Sequence, residues 1–217
     1  MTTPVLVIGN KAYSSWSMRP WLLMKHSEIA FREVRIPLYS EDWQQSIARY
    51  SPSGKVPALI DGEITIWDSL AIAEYLAEKH PRKQLWPADA GARACARSVS
   101  AEMHSGFQAL RAKMPMNVRR QFPGKGRDAA VLKDVARIGT LWRECRARFG
   151  TDGPFLFGEF CIADAMYAPV VSRLLTYEVE LDAASAAYAS TVSALPAFQA
   201  WVDEARLETE VIADYEQ

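Results

Sequence analysis

The fold of this chain is decided by the stretch Tyr13-Ser14-Ser15-Trp16-Ser17-Met18-Arg19-Pro20-Trp21. A short β-branched run precedes it and an apolar helical pattern follows, so the stretch joins a predicted strand to a predicted helix. A strand that leads directly into a helix leaves free backbone N–H groups and the positive end of the helix dipole at the carboxyl edge of the sheet. Serine side chains at such a point can cap the helix, bind an anion or stabilise a thiolate, and Ser14, Ser15 and Ser17 all lie there.

Two later segments show related strand-to-helix chemistry. Val56-Pro57 opens an apolar strand, where the missing N–H of proline is tolerated and where cis peptide bonds occur. Asp68-Ser69 follows another short strand and opens another helix, and both residue types are preferred helix N-caps. Each segment alone is explained by ordinary capping and turn chemistry, whereas the three in this order are harder to explain in that way.

The first part of the chain alternates strands and helices. Asp61-Gly62 is a hairpin signal between two of the strands, so the predicted sheet is parallel at first and antiparallel at its end. The predicted strands are 5–8, 31–36, 58–60 and 64–66, and the predicted helices are 17–28, 42–49 and 69–80.

After this part the pattern becomes helical. Residues 81–87 contain two prolines and are predicted to be a linker. Apolar residues then recur at helical spacing in two sets, which are Val99, Met103, Phe107 and Leu110, and Leu132, Val135, Ile138 and Trp142. The predicted breaks are Gly124, Gly126 and Gly153-Pro154, and further helices are predicted from Ile162 and from Leu195. The chain is therefore predicted to be a small α/β domain followed by an all-helical one.

Composition limits the classes of function. With 217 residues, of which 49% are hydrophobic and 24% charged, the chain has the balance of a globular protein in water. A net charge of -1 argues against nucleic-acid binding, which needs a basic excess. No apolar run approaches the roughly 20 residues of a membrane span, and no signal-peptide pattern is found. The three cysteines are far apart and odd in number, which favours reduced thiols. We therefore expect a cytoplasmic protein without membrane attachment.

Together these motifs resemble the cytosolic glutathione S-transferase family, over nearly the whole chain. The Ser-Ser-x-Ser-x-Arg pattern is most similar to the zeta class and related bacterial serine-type transferases, with Trp16 where the zeta class has a cysteine. Phe160-Cys161-Ile162-Ala163-Asp164 is similar to the family's Ser/Thr-x-x-Asp capping box, with Cys161 in place of the hydroxyl residue.

The resemblance implies an architecture and an assembly. It implies a thioredoxin-like α/β glutathione-binding domain at 1–81, a linker at 82–90 and an all-α C-terminal helical domain at 91–217. It also implies a two-fold homodimer, in which the helix around 94–107 packs against the partner's first domain. Glutathione is the implied co-substrate.

The resemblance also assigns the thiolate partner. A free thiol has a pKa of about 8.5, and a hydroxyl donor at a helix N-terminus lowers that pKa. Ser14 matches the zeta motif, whereas Ser15 has the spacing to Arg19 that the active serine has in other serine-type transferases. Both remain candidates for the catalytic residue.

The other implied glutathione contacts are spread over three segments. Val56 would pair its backbone with the cysteinyl portion, as a strand edge pairs with an extended peptide. Asp68 and Ser69 would bind the γ-glutamyl end at a helix N-terminus, and Lys55 would pair with the glycyl carboxylate. The full set of implied glutathione-binding residues is Ser17, Lys55, Val56, Pro57, Asp68 and Ser69.

A pocket for the second substrate is predicted in the helical domain. Phe107 and Met114, with Met103 and Met116, either line this apolar electrophile pocket or pack in the core, and His104 is placed to face the cleft from the same helix. The three histidines of the chain lack metal-ligand spacing, so no metal is expected. No cysteine lies in the first motif, which argues against a disulfide reductase.

Three functions are compatible with the resemblance. The first is a detoxifying transferase that adds the glutathione thiolate to a small apolar electrophile. The second is a glutathione-dependent isomerase of the maleylacetoacetate type, which the zeta-like motif suggests and Trp16 weakens. The third is a non-catalytic glutathione-binding interaction module, because a fold does not fix an activity.

Overall fold

A computed structural model describes residues 3–216 of the chain. The α/β part contains β1 (Val5–Ile8), α1 (Ser15–His26), β2 (Arg32–Arg35), α2 (Trp43–Ala48), β3 (Ala58–Asp61), β4 (Ile64–Ile66) and α3 (Ser69–Lys79). The helical part contains α4 (Ala90–Ser105), α5 (Gln108–Lys113), α6 (Ala129–Phe149), α7 (Ile162–Thr176), α8 (Ala183–Ser193) and α9 (Pro196–Arg206). The outermost domain bounds predicted from the sequence, residues 1 and 217, lie outside the described residues.

The four strands form one mixed sheet in the order β2-β1-β3-β4. β1 is parallel to β2 and antiparallel to β3, with Val7 opposite Val34 on one side and opposite Ala58 on the other. β3 and β4 are joined at Asp61-Gly62, where the glycine has a φ of +65° that favours this residue type. The predicted fold class, a small α/β sheet followed by an all-helical part, is confirmed.

Helices α1 and α7 form the junction between the two parts of the chain. Both helices are apolar and largely buried, so each serves as core for its neighbours. Trp21 of α1 packs edge-on against Trp201 of α9, with ring centroids 5.2 Å apart. Buried aromatic side chains contribute most of the apolar area in such a core. The indole N–H of Trp201 also donates to the Lys11 carbonyl at 2.9 Å, which fixes the loop after β1 against the helical part.

The start of α7 depends on Asp164. Its Oδ2 accepts the N–H of Cys161 at 2.9 Å, and its Oδ1 accepts the N–H of Leu156 at 3.2 Å and the hydroxyl of Tyr188 at 3.0 Å. The acidic half of the predicted capping box therefore forms, although Cys161 replaces the hydroxyl residue.

The helical pattern breaks earlier than the spacing predicts. α4 ends at Ser105, and Phe107 has a left-handed backbone with φ of +58° before α5 begins at Gln108. The prediction that one helix carries both Met103 and Phe107 is therefore wrong. Phe107 is nevertheless buried, because the turn folds it back into the core. Apolar spacing detected the burial and missed the break.

Two further differences lie in the later helices. α6 buries Val131, whereas Leu132, which the spacing places on the core face, is 47% exposed. α8 was not predicted, because its Ala- and Ser-rich sequence has no clear apolar stripe. Tyr188 and Val192 nevertheless anchor it in the core. None of the helices within residues 3–216 combines the length and the apolar character that a membrane span requires.

Candidate functional site

Two adjoining cavities open beside the loop that follows β1. The larger, here called the interdomain cavity, has a volume of about 500 Å³ and is lined by Tyr13, Ser14, Ser15, Trp16, Leu38, Tyr39, Trp43, Gly54, Lys55, Val56, Arg111, Pro115, Arg173 and Tyr215. The smaller, here called the strand-edge cavity, has a volume of about 400 Å³ and is lined by Trp16, Ser53, Lys55, Val56, Pro57, Trp67 and Asp68. Shared lining residues make the two cavities parts of one cleft.

The three serines at the start of α1 have different partners. The Ser14 hydroxyl donates to Ser17 Oγ at 2.7 Å, and Ser17 Oγ also accepts the N–H of Gly9 at 3.1 Å. Ser17 is fully buried and is part of neither cavity lining, so it supports the loop from behind. Ser14 and Ser15 both line the interdomain cavity. Two of the three predicted serines therefore reach the cleft.

Ser15 meets a guanidinium from the helical part. Nη2 of Arg173 donates to the Ser15 hydroxyl oxygen at 3.2 Å, and Nε of Arg173 donates to the Met114 carbonyl at 2.8 Å. Burial, together with repulsion from Arg111, lowers the pKa of Arg173 to about 10, so its guanidinium is charged at neutral pH. A hydroxyl oxygen that accepts from a cation keeps its own O–H available to donate.

Trp16 lies between the two cavities. The guanidinium carbons of Arg19 and Arg111 lie 4.1 and 4.7 Å from its ring centroid, and His104 packs edge-on against it at 5.3 Å. Arg19 is fully buried, and burial with repulsion from Arg111 and Arg173 holds its pKa well below the ordinary value. The indole is therefore held by cation–π contacts, which fix its position in the cleft.

The segment before β3 provides the predicted strand-edge residues. The Val56–Pro57 peptide bond is cis, as the sequence predicts. Lys55, Val56 and Pro57 all line the strand-edge cavity, and Lys55 and Val56 extend into the lining of the interdomain cavity. Residues far from the serines in sequence are therefore brought to the same cleft.

Asp68 caps α3 and also contacts the helical part. Its Oδ1 accepts the N–H groups of Leu70 at 3.0 Å and Ala71 at 3.4 Å, and its Oδ2 lies 2.6 Å from Nε2 of His104. The adjoining Ser69 is fully buried, and its hydroxyl has no hydrogen-bond partner among the described residues. Ser69 belongs to neither cavity lining, and its hydroxyl could donate only to a polar group that reaches the start of α3.

The predicted apolar pocket does not form where the sequence places it. Phe107 and Met114 are buried in the core and belong to neither cavity lining. The physical reason is the chain reversal after α4, which turns this segment inward. Of the three residues predicted for this pocket, only His104 reaches the cleft region, through its contacts with Trp16 and Asp68.

The C-terminal segment closes one end of the interdomain cavity. Tyr215 lines the cavity and packs edge-on against Tyr13, with ring centroids 5.4 Å apart. The Tyr13 hydroxyl donates to Glu216 at 2.6 Å and accepts from Arg119. This part of the wall was not predicted, because it forms only when the chain end folds back over the loop after β1.

The arginines of the cavity were also missed from the sequence. Arg173 had a usable signal, since it is the one charged residue in the apolar run 165–175. A charge in such a run indicates a buried partner or a ligand. Arg111 had no comparable signal, because α5 is short and mixed in polarity.

Two protein families match the chain. The family described as Glutathione S-transferase, N-terminal domain matches residues 13–79, and the family described as Glutathione S-transferase, C-terminal domain matches residues 118–204. Maleylacetoacetate isomerase of Rattus norvegicus is 32% identical, over 82% of this chain and 81% of its own. Glutathione S-transferase Z2 of Arabidopsis thaliana is 26% identical, over 92% of this chain and 93% of its own.

Solved structures share the fold. A glutathione transferase homologue from Burkholderia, determined with bound glutathione, has a TM-score of 0.71 and 25% identity, covering 94% of this chain and 98% of its own. A Tau class glutathione S-transferase from mango, Mangifera indica, has a TM-score of 0.68 at 18% identity, with 94% of this chain and 96% of its own covered. With two matching domain families, a relative above 30% identity over most of both chains, and the common fold, this chain belongs to the glutathione S-transferase family.

Proposed function

We propose that this protein binds glutathione, stabilises its thiolate and adds the thiolate to a small electrophile with an apolar body. The observation that carries the proposal is the hydroxyl of Ser15 at the start of α1. It accepts a hydrogen bond from Arg173 and lines the interdomain cavity, so its own proton is available to a thiolate there.

The chemistry of the site is thiol activation. A free thiol has a pKa of about 8.5, so only a few per cent is nucleophilic thiolate at neutral pH. The hydroxyl of Ser15, the N-terminus of α1 and the charge of Arg173 all favour the anion and would lower this pKa. Ser14 is the alternative partner, provided that its hydroxyl rotates away from Ser17. The hydrogen bonds support Ser15 over Ser14.

The strand-edge cavity is the proposed site for the body of glutathione. The backbone of Val56 would pair with the cysteinyl portion, and Lys55 would meet the glycyl carboxylate. Asp68 and Ser69 would bind the γ-glutamyl group, with the unpartnered Ser69 hydroxyl donating to its carboxylate. Pro57 would hold the strand edge in position. This placement leaves the arginine side of the interdomain cavity for the second substrate.

The rat relative favours a second candidate function, a glutathione-dependent isomerase of the maleylacetoacetate type. Such an enzyme would use the same thiolate. Against it stands Trp16, a large side chain between the cavities at a position where the zeta class has a cysteine. The intact set of cleft residues favours either enzyme over a non-catalytic binding module.

We also propose that the protein is a cytoplasmic homodimer and that it serves detoxification. The family resemblance implies the dimer, and two-fold dimers are also the commonest form of homo-oligomer. α4 also presents exposed small residues at helical spacing, which are Ala94, Ser98, Ala101 and Ser105. A flat face of this kind suits close contact with a partner chain.

Calorimetry tests the proposal. Titration with glutathione should give saturable binding of one molecule per chain, and 1-chloro-2,4-dinitrobenzene should then be conjugated above the uncatalysed rate. A Ser190→Ala variant on the exposed face of α8 is the matched control and should bind as the wild type does. Absence of binding would contradict the proposal, and binding without turnover of any electrophile would favour the non-catalytic module.

A further inference from the structure

Two cysteines that are far apart in the sequence form a thiol pair in the fold. Cys95 lies in the first half of α4, and Cys145 lies near the end of α6. Their side chains share a hydrogen bond. Neither residue belongs to the described lining of the two cavities, so the proposed transfer reaction does not use the pair.

The packing of α4 against α6 brings the two thiols together. Arg137 of α6 donates two hydrogen bonds to the Glu102 carboxylate of α4, at 2.7 and 2.9 Å. Cys95 lies seven residues before Glu102, and Cys145 lies eight residues after Arg137. Both intervals are about two helical turns. In two antiparallel helices a second contact is therefore expected two turns away from the ion pair, and the thiols meet there.

A tyrosine of α7 holds the two helices in this register from the core side. The Tyr167 hydroxyl donates to the Val99 carbonyl of α4 at 3.3 Å, and its ring packs edge-on against Trp142 of α6, with centroids 5.8 Å apart. Val99 lies one turn from Cys95, and Trp142 lies one turn from Cys145. Contacts that do not involve the cysteines therefore keep the two thiols side by side.

The two thiols differ in burial and therefore in reactivity. Cys145 is 3% exposed, whereas Cys95 is only partly buried. Burial and the interaction with Cys95 raise the pKa of Cys145 to about 12, so the Cys145 thiol keeps its proton at neutral pH and donates to the Cys95 sulfur. Cys95 is therefore the thiol that a solute reaches first, and Cys145 lies behind it as a second thiol.

We propose that Cys95 and Cys145 are a redox modification site, which a low-molecular-weight disulfide converts to an intramolecular disulfide bond. The Cys95 thiolate attacks one sulfur of the small disulfide, a mixed disulfide forms, and one small thiolate leaves with the electron pair of the broken S–S bond. The Cys145 sulfur then attacks the Cys95 sulfur and releases the second small thiolate. The protons of the two protein thiols pass through solvent to the two leaving thiolates. Two protein thiols are oxidised and one small disulfide is reduced, so atoms and electrons balance.

The position of Cys145 offsets its weak acidity. A thiol that is held against the mixed disulfide reacts within the molecule, as if it were present at a very high concentration. The bond is reversible, because the same exchange runs backwards when small thiols are in excess. The expectation of reduced thiols from the sequence and this site are therefore compatible. The site goes beyond the proposed transferase function and does not rest on it.

Mass spectrometry after thiol alkylation tests the proposal. The folded protein is equilibrated with 2-mercaptoethanol and bis(2-hydroxyethyl) disulfide at a series of ratios, quenched with acid, unfolded and treated with N-ethylmaleimide. The reduced chain should gain three maleimide groups, one for each cysteine, and the oxidised chain should gain only one. Peptide mapping should find Cys95 linked to Cys145. Neither reagent is a glutathione derivative, so the result is separate from glutathione binding in the cleft.

Cys161→Ser is the matched control, because Cys161 lies at the start of α7 and serine is a preferred N-cap. This variant should form the same link and then gain no maleimide group. Cys95→Ala should gain two maleimide groups at every ratio, and Cys145→Ala should stop at a mixed disulfide on Cys95.

The wild-type protein alone decides the outcome, so the proposal can be contradicted even where a variant does not fold. A folded wild type that gains three maleimide groups at every ratio would overturn the proposal. So would oxidation that stops at a mixed disulfide on Cys95, or a link from Cys95 or Cys145 to Cys161.

Discussion

Arg173 of α7 donates a hydrogen bond of 3.2 Å to the hydroxyl of Ser15 at the start of α1, although 158 residues separate the two in sequence. The bond joins the helical part directly to the loop after β1. It brings a guanidinium to the place where the proposed thiolate would lie, on the side where the α1 dipole is positive. The proposed site is therefore complete only when the two parts of the chain pack together.

Replacing Ser15 with Ala should raise the pKa of bound glutathione and leave its affinity largely unchanged. The hydroxyl acts on the thiolate, whereas the charged ends of glutathione make most of the holding contacts. Ser14→Ala should have a smaller effect, because the Ser14 hydroxyl already donates to Ser17. Ultraviolet titration of the complex measures both shifts. A larger shift in Ser14→Ala would transfer the role to Ser14, and no shift in either variant would exclude both serines.

Replacing Ser69 with Ala should weaken glutathione binding without slowing turnover at saturation. The buried Ser69 hydroxyl has no hydrogen-bond partner among the described residues, so its removal breaks no contact within the fold. A charge-assisted hydrogen bond to the γ-glutamyl carboxylate would contribute about 1.5–3 kcal/mol in ground and transition states alike. The KM for glutathione should therefore rise about tenfold or more. Steady-state kinetics with glutathione as the varied substrate measures this KM, with Ser190→Ala on the exposed face of α8 as control. A large fall in kcat with an unchanged KM would show that the ligand is misplaced.

The stability contribution of Asp164 should fall as the pH rises. Burial raises the pKa of Asp164 to about 6, against the hydrogen bonds from the N–H groups of Cys161 and Leu156. A folded-state pKa above the unfolded value gives a contribution that is complete below about pH 4 and is lost as the pH passes 6. The advantage of the wild type over Asp164→Ala should thus shrink by about 1 kcal/mol between pH 5 and pH 8.

Urea unfolding at several pH values measures this difference. Asp182→Ala removes the N-cap of α8 and is the matched control. Its effect on the free energy of unfolding should change with pH in the opposite direction. Desolvation acts against the ionised form, but hydrogen bonds from Ser185 and Arg143 leave the pKa of Asp182 lowered. Its contribution should be present at neutral pH and lost in acid. The same pH trend in both variants would contradict a raised pKa for Asp164.

Replacing Ala101 with Arg should convert the proposed dimer to a monomer. Ala101 is exposed on α4, the helix predicted to pack against the partner's first domain, and a long charged side chain would prevent close contact. Ala187→Arg, at an exposed alanine of α8, is the control and should leave the dimer intact. Light scattering at micromolar concentration measures both. A monomeric wild type would refute the dimer itself.

The sequence predicted the elements that local chemistry determines. The strand-to-helix stretch at Ser14-Ser15, the cis bond before Pro57 and the cap at Asp68 are all set by residues within a few positions of one another. The helical spacing of Val99 and Met103 predicted the buried face of α4, because this spacing is also a local property of the sequence. The α8 helix was missed, since alanine and serine give no apolar stripe.

The walls of the cleft could not be predicted in the same way. Arg111 and Arg173 reach Trp16 and Ser15 only through packing of the helical part, and no local pattern encodes that distance. Phe107 was misplaced because a left-handed residue after α4 turns the chain inward, and neither composition nor periodicity marks that turn. Apolar spacing predicted that Phe107 is buried, but it could not show that Phe107 packs in the core and not in the wall of the cleft.

The most direct test of the account is the pKa of the glutathione thiol in complex with the wild-type protein. Thiolate absorbance is followed as the pH is raised, with the S-methyl derivative of glutathione as the blank. We expect a pKa at least one unit below the free value of about 8.5, because the Ser15 hydroxyl, Arg173 and the α1 N-terminus all favour the anion. Bound glutathione that titrates at the free value would contradict it.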